Sequence, residues 1–379
     1  MKKWISKKLA SVLCLAMTGT LLAGCGAGAK TNSETVLFEY DGQKVYLDEA
    51  WVYAKTMQSQ YEAWYGSAIW DYEVSDENGE KTTIEEQAKK DVINQIKMVK
   101  FLSHQAKEEG ITLDEEKQEE IQTNVDSFMS SVSEADLEQT GVTEETLKKI
   151  YEENALVSEY QDKVVEEADI TVDDSECQQY KTYNLLFATF DYDENGQKVE
   201  YSKKKKAAQK KLAEEALARI QAGENSVEEM EAMAEEYKAD KSSEYTFGDD
   251  GTTAEEYAEA AMKLKKGEVS GIVETEFGYH IIKMIDPMDE EATEEKRQEV
   301  LKEKQTEYFT EKYSEMTKEL EEQWDFEKDV NQKAFAQITF KQEESTETSE
   351  TTTETGTESG TTTEATTEAA SSESTTTAE

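Results

Sequence analysis

The chain has 379 residues, enough for two domains once its ends are set aside, and carries 86 acidic against 41 basic residues for a formal net charge of −45. So negative a chain is repelled by nucleic acid and by anionic lipid head groups, which excludes nucleic-acid function and disfavours attachment to a membrane through a basic patch. Three cysteines and only two histidines, His104 and His280, do not supply the clustered ligands of a structural zinc site, so neither metal nor cofactor is expected.

The first residues place Lys2, Lys3, Lys7 and Lys8 around Trp4, followed by an apolar run from Leu9 to Leu22 and then Leu22-Ala23-Gly24-Cys25. A basic n-region, a short apolar stretch and small residues before a cleavage point predict a secretory signal over residues 1–24, too short for a spanning helix of about 20 apolar residues. Leu-Ala-Gly-Cys resembles the lipobox of bacterial lipoproteins. That resemblance implies that Cys25 becomes the first mature residue, carries a diacylglycerol, and holds the protein at the outer side of the cell membrane. Two or more acyl chains suffice for stable anchoring, since each buried methylene contributes ~0.8 kcal/mol. With Cys14 removed and Cys25 lipidated, Cys177 stands alone and no intramolecular disulfide is expected.

Residues 25–33 are small and polar and read as a flexible stalk. Residues 34–177 read as a helical, chaperone-like domain. Val36 to Tyr40 and Lys44 to Tyr46, around Asp41-Gly42, predict a hairpin. A helix follows from about Leu47, rich in Trp51, Tyr53, Tyr61, Trp64 and Tyr65, which read either as core or as a cradle for unfolded chains. Thr83-x-x-Glu86 predicts the cap of a helix with Ile84, Ala88, Val92, Ile96 and Val99 on one face, stopped by Gly110. Thr112-x-x-Glu115 predicts another, and a third is expected from about Thr143 with Leu147, Ile150, Val157 and Val164 inward.

The pattern changes over residues 178–286. Thr182 to Thr189 is strand-like. A turn-rich stretch, a Lys-rich helix from about Ser202 to Ala222 ended by Gly223, and a helix capped by Ser226-x-x-Glu229 follow. Gly271 to Thr275 and Tyr279 to Ile285 predict two strands joined at Phe277-Gly278. Beyond Pro287, residues 287–342 predict a charged helix from Glu290 to Trp324 and a last strand, Ala334 to Phe340, that completes the helical domain. Residues 343–379 contain essentially Thr, Ser, Glu, Ala and Gly, too few apolar groups to offset chain entropy, and predict a disordered tail. The fold class is α+β: a mainly helical domain with an inserted βααββ unit.

Within that unit, Gly267-Glu268-Val269-Ser270 followed by Phe277-Gly278-Tyr279-His280-Ile281-Ile282-Lys283 closely resembles the C-terminal half of parvulin-type prolyl isomerases. Ala213 to Ala218 leading to Gly223, and Met230 to Ala234 leading to Tyr237 and Asp240, fit the same family, so the likeness covers roughly residues 178–286. Joined to the lipobox and flanking helices, it resembles PrsA-type foldase lipoproteins and, more distantly, SurA-type chaperones.

The resemblance implies a prolyl cis-trans isomerase and chaperone whose partners are unfolded exported proteins. It assigns His280, Thr275, Asp240 and Asn184 to the catalytic network and Tyr257, Met262 and Thr253 to the proline pocket. Strand alternation puts His280 on one face with Ile282 and Met284. Three features depart from the family: Asn184 stands where it carries a histidine, Thr253 where it carries a methionine, and the stretch from about Thr246 to Gly251 is shortened. Asn donates and accepts hydrogen bonds but makes no two-histidine network. Competing readings are His280 as a hydrogen-bonded core residue, Asp240 as a loop cap, and Met230, Met233 and Met262 as core packing. The functional alternatives are a non-catalytic holdase and, against the absence of alternating βαβ units, a solute-binding or adhesive lipoprotein.

Overall fold

The computed structural model describes residues 34–75 and 79–340. The expected signal segment, Cys25, the stalk and the Thr/Ser/Glu tail lie outside the described residues. Chain order begins with β1 (Val36–Tyr40) and β2 (Gln43–Tyr46), an antiparallel hairpin. Its turn residues Asp41 and Gly42 both sit at positive φ, 51° and 70°, the backbone that matches the twist of paired strands. Then come α1 (Leu47–Tyr65), a single 3-10 turn (Ser67–Asp71), the small pair β3 (Glu73–Ser75) and β4 (Lys81–Thr83), and α2 (Ile84–Glu108). Thr83 caps α2 as expected, its Oγ1 accepting from the Glu86 amide at 3.2 Å.

The helix expected from Thr112 instead starts at α3 (Glu115–Ser131), because Asp114, a stronger cap placed directly before an acidic first turn, accepts from the Lys117 amide at 2.8 Å. The short α4 (Glu134–Thr140) follows, then α5 (Glu144–Glu167), capped by Thr143. The expected stripes are the buried ones: Val92, Ile96, Ile121, Val125, Leu147 and Ile150 share one core. Trp51 and Tyr53 belong to that core, whereas Trp64 and Tyr65, at the far end of α1, are 84% and 69% exposed. Where α1, α2 and α5 meet, Lys100 Nζ lies 2.6 Å from both Glu49 Oε2 and Glu153 Oε2, all three side chains buried.

After α6 (Asp174–Cys177) the second body begins: β5 (Gln179–Ala188), the hairpin β6 (Phe190–Tyr192) and β7 (Lys198–Glu200), α7 (Lys203–Ala222), α8 (Val227–Tyr237), β8 (Ser243–Gly248), α9 (Glu255–Met262), β9 (Val269–Thr275) and β10 (Gly278–Asp286). Four strands form an antiparallel sheet in the order β8-β5-β10-β9. Alternation divides it cleanly. Tyr183, Leu185, Phe187, Tyr279 and Ile281 face α7 and α8, while Ile282 and Phe247 face Tyr257, Ala258 and Ala261 of α9.

The chain leaves through α10 (Glu290–Gln323), α11 (Phe326–Asp329) and α12 (Gln332–Phe335). The strand expected over Ala334 to Phe340 is not formed. Asn331 caps a helical turn there by accepting from the Ala334 amide at 3.2 Å. The following residues run without a partner strand and bury Ile338 and Phe340 in the first body. Phe340 packs its ring 4.5 Å from that of Trp70 and takes a hydrogen bond on its carbonyl from Gln58 Nε2 at 2.8 Å. The ends of the second body are stitched together: the Asp289 amide donates to Gln179 O at 2.9 Å, the Gln179 amide to Thr293 Oγ1 at 3.0 Å, and Gln178 Nε2 to Pro287 O at 2.9 Å.

Candidate functional site

The helix α9 packs on β9 and β10, and three of the polar residues picked out in the sequence, His280, Thr275 and Asn184, gather on that side of the sheet. The register sets Ile282 opposite Asn184 and His280 opposite Leu186, so His280 and Asn184 are diagonal neighbours on one face. The β9–β10 turn brings Thr275 to the other side of the imidazole. His280 Nε2 lies 2.7 Å from Thr275 Oγ1 and Nδ1 lies 2.9 Å from Asn184 Oδ1. Because the carboxamide oxygen only accepts, the Nδ1 hydrogen donates to it and Nε2 is the acceptor for the Thr275 hydroxyl. That hydroxyl oxygen accepts in turn from the Phe277 amide at 3.1 Å. The relay from backbone amide through threonine and imidazole to asparagine therefore runs in one direction and fixes one tautomer.

Burial lowers the pKa of His280 to about 4, so the ring is neutral at neutral pH, as this relay requires. A histidine with a depressed pKa stabilises the fold fully above its unfolded value of 6.5, and the contribution is lost as pH falls from 6.5 to 4. Full loss amounts to about 3 kcal/mol. Urea unfolding of the wild type and of His280→Gln is expected to show a stability difference at pH 7 that shrinks steadily toward pH 4. A difference independent of pH would show that the ring is not held neutral by burial.

Tyr257 lies edge-on to the histidine, ring centroids 5.3 Å apart, and its hydroxyl is 3.0 Å from the buried Thr182 Oγ1. Burial raises the phenol pKa well above its ordinary value. Thr253 is half-buried and lies 2.9 Å, oxygen to oxygen, from the Tyr245 hydroxyl; Met262 packs half-buried at the end of α9 against the same cluster. Asp240 is exposed in the turn after α8 and makes no hydrogen bond to His280, both of whose ring nitrogens are already occupied. Asn184 is half-buried and its Nδ2 amide has no partner among the described residues, which leaves a hydrogen-bond donor open to a ligand.

Sequence reasoning did not single out Tyr245, which stacks on Phe247, nor Ser242, whose hydroxyl accepts from the Leu186 amide at 2.9 Å. The alternation Tyr245-x-Phe247 on one strand was the available signal. No group of three or more His, Cys, Asp and Glu residues suited to a metal is found among the described residues.

Residues 190–286 match the rotamase family, described as a PPIC-type PPIase domain. Over these residues the chain is similar to parvulin-type prolyl isomerase domains, and over most of its length to PrsA foldases. The foldase protein PrsA of Caldanaerobacter subterraneus subsp. tengcongensis is 28% identical over 297 residues, spanning 75% of this chain and 85% of that one. The PrsA of Clostridium botulinum strain 657 is 29% identical over 301 residues, 74% of this chain and 84% of its own. Among solved structures, the Bacillus cereus peptidylprolyl isomerase PrsA aligns with a TM-score of 0.29 at 20% identity, over 71% of this chain and 99% of that one. The Lactococcus lactis PrsA aligns with a TM-score of 0.32 at 14% identity, over 80% and 98%. The family match begins after β5, so His280, Thr275, Asp240, Thr253, Tyr257 and Met262 fall inside it and Asn184 lies outside.

Proposed function

We propose that the protein is an extracytoplasmic folding factor that catalyses cis-trans isomerisation of X-Pro bonds in exported proteins and is tethered to the membrane by lipid on Cys25. The division of labour is that of the sequence reading: residues 34–177 and 287–342 hold the client, and residues 178–286 turn its prolyl bonds. The observation that carries the catalytic part is the neutral His280 relay buried against Tyr257.

Rotation about the peptide C–N bond meets a barrier of ~18–20 kcal/mol, and X-Pro bonds interconvert uncatalysed in tens of seconds or longer. The twisted state has lost amide resonance, so its nitrogen is pyramidal and more basic and its carbonyl less polar than in either planar form. No covalent bond needs to form. A dry apolar site that favours this less polar state, with a donor placed for the prolyl nitrogen or carbonyl, lowers the barrier by binding it more tightly than the ground states. Asn184 Nδ2 is the donor in such a scheme, held by the bond between its own Oδ1 and His280; His280, Thr275 and Phe277 orient it. Thr253 and Met262 border the proline, and Asp240 acts from the rim.

The test is the cis-to-trans rate of a short X-Pro peptide with the full-length chain. We expect a rate above background that falls at least about 10-fold in His280→Ala and in Asn184→Ala, in line with loss of a positioned hydrogen-bond network. A second reading is favoured by Trp64, Tyr65 and Tyr72, large aromatic residues exposed on the helical body: a holdase whose isomerase domain is silent. Wild-type protein that slows aggregation of an unfolded client but never exceeds the background isomerisation rate would select it.

A further inference from the structure

The His280 relay is assembled but covered. His280 is 4% exposed and the neighbouring Tyr257 3%, so neither offers a proline ring a face from solvent. Tyr245 is 39% exposed and its ring touches that of Tyr257, which in turn lies against His280. It stands on β8, the edge strand of the sheet, opposite Thr182, the residue that holds the Tyr257 hydroxyl. Its ring meets Tyr257 edge-on with centroids 5.8 Å apart and stacks on Phe247 at 5.8 Å with 10° between planes. Its hydroxyl reaches 2.9 Å to Thr253 Oγ1, in the segment leading into α9.

We propose that Tyr245 is the access gate of the proline site: its ring closes Tyr257 and His280 off from solvent, and a prolyl substrate enters only once the ring turns outward and releases Thr253. The proposal rests on the isomerase reading above and says how that site is controlled. The gate is lightly held. One hydroxyl–hydroxyl contact in an exposed position, the stacking on Phe247 and the edge-on contact with Tyr257 oppose rotation about χ1, and such rotations need no backbone movement. Among the described residues β8 is an edge strand, paired on one side only. Thr253 supplies the latch because it brings a hydroxyl where the family resemblance places a thioether. The gate also sets selectivity: a substrate's apparent affinity is its intrinsic affinity scaled by the fraction of time the site stands open, so segments that make contacts enough to displace the ring are favoured.

Two readouts on the full-length chain test this, one of them independent of catalysis. Diethyl pyrocarbonate modifies accessible histidines, and the half-exposed His104 is an internal reference for the buried His280. In the wild type His280 is expected to react far more slowly than His104. Tyr245→Ala is expected to raise the His280 rate about 10-fold with His104 unchanged, and to lower KM for a short X-Pro peptide about 5-fold with kcat within about 2-fold, the signature of a removed opening step. Thr253→Val, which removes the latch hydroxyl, is expected to raise the His280 modification rate by less, and this readout serves if the alanine variant fails to fold.

Faster His280 modification without turnover in any variant keeps the gate and removes the isomerase. Turnover that falls in Tyr245→Ala while His280 stays protected overturns the gate and makes the ring part of the pocket wall. Unchanged His280 reactivity and unchanged KM in both variants overturn it as well.

Discussion

Lys100→Met is expected to lower the unfolding free energy of the helical body by about 3–5 kcal/mol, the usual penalty for removing one partner of a buried ion cluster. The lysine is the only cation within 2.6 Å of both Glu49 and Glu153 among the described residues, and those carboxylates come from α1 and α5 while the lysine comes from α2. Lys149 reaches the other oxygen of Glu49 at 2.8 Å from a half-exposed position and does not replace the missing charge at Glu153. Two buried carboxylates would then face each other across a methionine. Urea midpoints measure the effect. The same experiment on Lys100→Met combined with Glu153→Gln is expected to recover part of the loss, since the second change removes the stranded charge. Equal midpoints for wild type and single variant would mean that water, not Lys100, solvates the glutamates.

The second large effect is expected at Gly278→Ala. A Cβ at this position would lie 2.4 Å from the Phe187 carbonyl oxygen and 2.9 Å from the Ala188 Cα, both backbone atoms of the paired strand β5, at a φ of +143° that L-residues rarely adopt. Neither atom can swing aside as a side-chain end would, so β10 has to part from β5 at its first residue. Backbone strain and overpacking together put the cost at about 3 kcal/mol or more. Because His280 lies two residues further along, the variant should also lose the bonds to Thr275 and Asn184. Gly271→Ala on β9 is the control: its Cβ would meet nothing within 4 Å, and the change should stay within about 0.5 kcal/mol. A Gly278→Ala protein as stable as the control would mean that the close approach of the strands is not obligatory.

The contrast between these glycines shows what the sequence disclosed. The Phe277-Gly278 turn, the Asp41-Gly42 hairpin and the caps Thr83, Thr143, Ser202 and Ser226 were readable, because each depends on residues within four positions along the chain. His280 and Thr275 were readable for the same reason, five residues apart across one turn.

Strand β8 was not. Only Phe247 and Gly248 in its six residues are buried, and its identity as a strand comes from pairing with β5 some sixty residues earlier. Tyr245 went unnoticed with it. The stretch from Ala334 failed in the opposite direction, since its apolar residues suggested a strand while Asn331 started a helical turn and no partner strand was present to compete. Asp240 shows the limit of residue-by-residue transfer: its place in a motif did not bring its carboxylate to the imidazole.

The stitched ends of the sheet-containing body have a genealogical consequence. Where an incoming and an outgoing segment are tied by three hydrogen bonds within a few residues, everything between them behaves as a cassette. Removing it leaves a gap that a very short loop spans, and the entropy of closing such a loop changes little with what it once contained. The helical body can then acquire, lose or exchange its catalytic insert through a single recombination event without renegotiating its own core. Changes inside such a cassette, at Asn184 or Thr253 for example, leave the packing of the helical core untouched.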